Sequence, residues 1–197
     1  MSGTRHEPSV VVALPGATGR YTTPAIALHW LLALALLVLF SVGLYMADLP
    51  FSPQRVKLYN WHKWAGVTIL LLSTLRLAWR LTHRPPADLP APAWQQRAAY
   101  LTHGAMYLLF FVVPLAGWAY SSAAGFPIVW FGVLPLPDFV GPDKALAEAI
   151  KPWHGALART LAVLAVVHVF AALKHHFVDR DSLLRRMQPA RPRTSAE

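Results

Sequence analysis

Nine histidines occur in 197 residues, and five of them, His29, His62, His103, His154 and His168, fall within or at the edges of otherwise apolar stretches. A neutral imidazole has one ring nitrogen free to bind a metal and one N–H to donate, so two facing imidazoles can grip an ion from opposite sides. A charge at the centre of a bilayer costs about 2.5 kcal/mol or more, so an ionisable residue there faces other protein and has a partner. Spacing sorts these five by depth. His154 and His168 are fourteen residues apart, which in a helix is about 21 Å along the axis and within about 40° of one face. One helix thus offers an imidazole near each membrane surface. His62, opening an earlier apolar block, can meet His154, while His29, about one turn into the first block, can meet His168. Two bis-histidine sites stacked across a bilayer follow, each suited to iron in a planar macrocycle. The competing reading of any single member is a hydrogen-bonding or interfacial histidine without a metal.

The neighbouring residues suit a large planar ligand. Gly43 lies fourteen residues after His29 on nearly the same face, at the depth of the outer site, and Gly66 lies one turn after His62; each removes a side chain where a macrocycle needs room. Arg76, fourteen residues after His62, falls at the inner depth, where a guanidinium can pair with a propionate or a quinone oxygen. His103, near the level of His29, is read as an interhelical or second-sphere histidine, with competition for the metal as the alternative. His175, seven residues after His168, either hydrogen-bonds a quinone and carries protons or is a solvated interfacial histidine. His6 and His83 are read as bystanders, and Arg159 as a side chain that snorkels or pairs locally.

The elements that must carry these residues are legible from composition. Hydrophobic residues make up 55% of the chain and charged residues 14%, and the apolar residues collect in blocks instead of alternating. That is the profile of a chain whose solvent is membrane lipid. Crossing a hydrocarbon core about 30 Å thick takes about 20 apolar helical residues, and four segments suffice: 24–47, 58–81, 98–121 and 153–178. Backbone groups in lipid must be satisfied within the segment, so the fold class is all-α, an integral membrane four-helix bundle. Pro50 and Pro53 follow the first helix, Pro85, Pro86, Pro90 and Pro92 separate the second from the third, and Pro152 is expected to open the fourth. Pro114 should bend the third helix, with Gly117 nearby. The stretch 144–150 in the last connection is expected to lie along the membrane surface. Residues 1–20 read as a polar tail and not a signal peptide, 21–188 as the membrane domain and 189–197 as a basic tail.

Basic residues near helix ends orient the bundle. Arg5, Arg20, Arg76, Arg80, Arg84, Arg97, Lys174, Arg180, Arg185, Arg186, Arg191 and Arg193 gather on one side, which places both termini in the cytoplasm. The opposite side holds Arg55, Lys57, Lys63, Lys144, Lys151 and Arg159, partly balanced by Asp48, Asp138, Asp143 and Glu148. The net charge of +9 therefore reads as membrane orientation, and no nucleic-acid partner is expected, since the basic residues are not interleaved with aromatics on a polar face. With no cysteine, thiolate clusters and covalent heme attachment are excluded.

The same residues carry a family resemblance. R-Y-x-x-x-A-I-x-L-H-W ending at Trp30, W-H-K-x-x-G around His62, R-L-x-x-R from Arg76, L-T-H-G-x-M-Y-L-L-F around His103, and K-P-W-H followed by H-V-F-A-A-L-K-H-H span about residues 20–188. Together they resemble the bacterial cytochrome b561 family. The resemblance implies two heme b groups, ligated by His29 and His168 on the cytoplasmic side and by His62 and His154 on the periplasmic side of the bacterial inner membrane. It further implies electron transfer across the membrane, with superoxide oxidised to dioxygen outside and ubiquinone reduced. Arg55, Lys57, Lys63, Lys144 and Lys151 can steer an anionic donor such as superoxide, the alternative being an ordinary mixed-charge surface. A second reading is an electron-transfer subunit serving a separate dehydrogenase or hydrogenase as its protein redox partner. A third, a histidine-lined metal transporter, is disfavoured because acidic residues are absent from the helix interiors.

Overall fold

The computed structural model describes residues 19–188. The proposed tails, with His6, Arg5, Arg191 and Arg193, lie almost wholly outside that range. Four helices dominate: α1 (Thr23–Ala47), α2 (Pro53–Thr82), α3 (Ala93–Ala123) and α4 (Lys144–Lys174). All four are long and apolar enough to cross a membrane. α1 packs on α2, α2 on α3 and α3 on α4, whereas α1 and α4 are not a closely packed pair. Residues 19–21 and 186–188 meet at one end, where the Tyr21 N–H donates to the Arg186 carbonyl at 3.2 Å; that end is called inner below and the other outer.

Large apolar side chains point away from the bundle, among them Leu37, Leu108 and Val163, each more than 60% exposed. With lipid as solvent, such exposure carries no hydrophobic cost. The packed interior is correspondingly small. Leu109, Phe110 and Leu161 form it, with Leu36, Met106, Tyr107, Phe111, Val113, Leu157 and Leu164 against them. Leu157, Leu161 and Leu164 lie between His154 and His168 on α4, so the tightest packing separates the two histidine levels.

Local chemistry accounts for the helix ends. The Ser52 hydroxyl accepts from the Arg55 N–H at 3.2 Å ahead of Pro53, and the Asp143 carboxylate accepts from the Leu146 N–H at 3.0 Å. Both are N-caps that satisfy a donor the helix itself cannot. Three expectations are corrected here. The stretch 144–150 is not a separate surface helix but the first two turns of α4, and Pro152 lies inside that helix instead of opening it. α2 and α3 also begin about one turn earlier than the apolar blocks suggest, at Pro53 and Ala93. Pro114 does sit inside α3.

Between α3 and α4 a short antiparallel hairpin pairs Val129 with Pro135 and Trp130 with Leu134. Phe131 and Gly132 take positive φ, 51° and 74°, which supplies the tight reversal such a loop needs. The Trp130 indole N–H reaches the Trp64 carbonyl and the Thr68 hydroxyl of α2, both at 3.3 Å, and the Lys63 ammonium donates to the Phe126 carbonyl at 3.3 Å. The long connection is thereby fastened to the outer half of α2.

Candidate functional site

The four histidines expected to pair do face one another in those pairs. His62 of α2 and His154 of α4 have ring centroids 6.2 Å apart with planes at 84°. His29 of α1 and His168 of α4 have centroids 6.1 Å apart with planes at 71°. One ion between two imidazoles, with metal–nitrogen bonds of about 2 Å on each side, takes up about this separation. The periodicity of α4 explains the arrangement: its fourteen-residue interval presents one imidazole to α2 at the outer level and one to α1 at the inner level.

Each outer imidazole is seated by a glycine. A methyl group on Gly117 would lie 2.9 Å from Cε1 of His154 and 3.1 Å from its Nδ1. One on Gly43 would lie 3.1 Å from Cε1 of His62. Only with those positions bare can the rings lie against α3 and α1. His154 gains a second restraint, because its Nδ1 lies 3.0 Å from the Val113 carbonyl. A carbonyl can only accept, so Nδ1 carries the proton and Nε2 keeps its lone pair, the tautomer a metal needs. The partner ring, His62, has a buried Nδ1 with no hydrogen-bond partner. Gly66 has open space where a side chain would project. The spacing of both pairs, and at the outer level the free Nε2 of His154 and the bare glycines, fit a planar, metal-centred group.

The inner level is more crowded. His168 lies between two histidines, since His103 of α3 has its ring centroid 5.2 Å from that of His168 with planes at 68°. Trp30 stands edge-on to His29 at 5.3 Å. Arg76 is at this level as expected, but its guanidinium donates to the Ala25 carbonyl of α1 at 3.4 Å. It also lies 6.0 Å from the centre of the Tyr107 ring, which Arg80 approaches at 5.8 Å. Two cations thus flank one aromatic ring beside the histidine cluster.

His175 lies beyond the end of α4, where the helix widens into a π turn over His175–Asp179 and Arg180 takes φ 53°. Its Nδ1 is 2.6 Å from Asp181 and 3.2 Å from Asp179, and Lys174 pairs with Asp179 at 2.7 Å. The imidazole is therefore anchored through one nitrogen to carboxylates and is not a free interfacial side chain. His83 stacks on Trp79 at 3.7 Å, away from both pairs.

On the outer surface most cations are engaged locally. Arg55 contacts Tyr59, Lys57 lies 4.9 Å from the centre of the Trp61 ring, and Lys144 faces Glu148 at 3.9 Å. A depression of about 450 Å³ beside Tyr120 and Lys151 is lined by Asp143, Lys144 and Glu148, so its charge is mixed.

From the sequence, Gly117 stands out only as lying near the bend expected at Pro114. Its real contact is with a ring on another helix, for which α3 alone carries no signal.

Comparison with known proteins points one way. A model of prokaryotic cytochrome b561 matches residues 20–190. The chain is 36% identical over 170 residues to cytochrome b561 homolog 2 of Escherichia coli K12, covering 85% of this chain and 90% of that one. It is 30% identical over 172 residues to the probable superoxide oxidase CybB of Yersinia pestis, covering 86% and 96%. It is also 30% identical over 179 residues to a cytochrome b562 of Cereibacter sphaeroides, covering 88% and 96%.

Proposed function

Since the chain belongs to the prokaryotic cytochrome b561 family, multi-pass membrane proteins of b-type heme electron transfer, we propose that it is a diheme cytochrome oxidising superoxide outside the inner membrane and reducing ubiquinone. The observation that carries the reading is the pair of facing imidazole couples, 6.1 and 6.2 Å between centroids, at two levels of one membrane bundle. His29 and His168 would hold the inner heme, and His62 and His154 the outer one. Bound there, the hemes supply one-electron carriage between a one-electron donor and a two-electron acceptor. Two superoxide ions yield two dioxygen molecules, and the two electrons with two protons convert one quinone to quinol.

The protein's own groups divide the work. The Val113 carbonyl and Gly117 fix the His154 ring, and Gly43 does the same for His62. The Leu109, Phe110 and Leu161 cluster excludes water between the levels. Inner-end Arg76 is suited to a propionate or quinone oxygen, and His175, tethered to Asp181, to holding a proton beside a quinone. The superoxide assignment draws on the name of the Yersinia relative and on its anionic charge, which outer lysines attract at long range despite their local contacts. Arg76, Arg80, Arg84, Arg97, Lys174 and Arg180 at the inner end support an orientation with both termini in the cytoplasm.

The test is to supply purified heme-loaded protein with superoxide and a soluble ubiquinone and to follow quinol formation. Rapid, protein-dependent reduction with no other subunit supports the enzyme. Slow reduction that rises on adding a dehydrogenase or hydrogenase partner identifies an electron-transfer subunit instead.

A further inference from the structure

α1 and α4 carry the inner histidine pair, yet they are not closely packed on each other. Something else must set the gap between them. The chain leaving α4 does not run off into solvent. Asp181 turns back so that its carboxylate meets His175 at 2.6 Å and accepts from the Leu183 N–H at 2.8 Å. A single 3-10 turn, Leu184–Met187, follows. Carbonyls at its end and just beyond it accept from α1 and from the two residues that lead into it: Arg186 from the Tyr21 N–H at 3.2 Å, Met187 from the Trp30 indole of α1 at 2.7 Å, and Gln188 from the Arg20 guanidinium at 2.6 Å. Arg186 in turn donates to the Ala87 carbonyl in the α2–α3 connection at 2.6 Å. Trp30 is both the anchor of this turn and the ring standing 5.3 Å from His29.

We propose that residues 182–188 are a clasp that fixes the α1–α4 spacing at the inner level, making Trp30 and Arg186 positioning residues for the ligands His29 and His168. The ligand part rests on the diheme reading above; the spacing part does not. An imidazole pair must be held to within about 0.5 Å to serve a metal, and at this end α1 meets α4 through the His29–His168 ring contact without close packing of the two helices around it. At the outer level α3, which packs on both α2 and α4, and the Gly117 seat perform the corresponding task, so the clasp acts on one heme only.

The absence of cysteine allows unique spin labels at Ala27→Cys and Ala171→Cys, both exposed and near the inner pair. Their separation is measured in the full-length heme-loaded protein, in a chain ending at Gln188 and in a chain ending at Asp181. Heme per chain is measured alongside in His62→Ala and His29→Ala backgrounds. The chain ending at Gln188 should match full length. The chain ending at Asp181 should show a broader distance distribution moved outward, loss of the one heme left in His62→Ala, and retention of the one left in His29→Ala. Trp30→Phe, which keeps the ring and loses the N–H to Met187, and Arg186→Gln, which unties the clasp from the Ala87 carbonyl, should widen the label separation and shift the inner midpoint potential while leaving the outer one in place; they also serve if the short chain does not fold. Unchanged distances in the short chain, or in both point variants, overturn the clasp. A full-length chain with fewer than two hemes refutes the diheme reading instead, and the distances still decide the clasp.

Discussion

His154, a proposed heme ligand, is held in place by residues that would not themselves touch a metal. Its ring orientation depends on the Val113 carbonyl at 3.0 Å and on the missing side chain of Gly117. Gly117→Ala places a methyl 2.9 Å from Cε1 of that ring. The expected outcome, by pyridine hemochrome assay, is a fall from two hemes per chain toward one, with affinity at the outer level reduced roughly 10- to 100-fold as for other losses of ligand support. Gly141→Ala, where nothing lies within 4 Å, should leave both hemes in place. The third inner histidine gives an opposite expectation. His103 touches His168 at 5.2 Å between centroids but leaves the wider His29–His168 gap for the iron. His103→Ala should therefore retain two hemes while shifting the inner midpoint potential, measured by redox titration. The five membrane histidines and their levels were legible because a fourteen-residue interval is a property of one helix. The seat of His154 was not, because it arises where α3 and α4 meet.

At the scale of elements, apolar length made all four helices legible, since a bilayer demands it. The starts of α2, α3 and α4 were not. Pro152 and the charged stretch before it read as a boundary, yet α4 runs through both. Proline removes only the bond to the carbonyl four residues earlier, that of Glu148, and a Glu148 side chain 70% exposed marks a turn where water can replace that partner. What starts α4 is Asp143. Asp143→Ala should lower stability by about 1 kcal/mol, read as an earlier loss of the heme Soret band on heating in detergent, whereas Asp143→Ser should restore most of it. The hairpin was likewise invisible in advance, because two residues per strand leave no alternation to detect.

For the whole molecule, the arrangement is a thin bundle closed at mid-depth and opened at both ends by histidines. The distribution of charge makes its orientation testable. Fusions at residue 197 should be active only with reporters that work in the cytoplasm, and insertions at Gly132 only with reporters that work outside it. The opposite pattern would contradict the proposed placement of the outer histidine pair outside the membrane. The central claim is simpler than any of these: two imidazole couples, two irons, one bundle. Heme quantitation joined to a reduced-minus-oxidised spectrum tests it most directly in four proteins, the unaltered chain, His29→Ala, His62→Ala and the double variant. The account predicts two hemes, one, one and none, with the two single variants differing in midpoint potential. Two hemes surviving in either single variant, or no heme in the unaltered chain produced with ample heme supply, would contradict it.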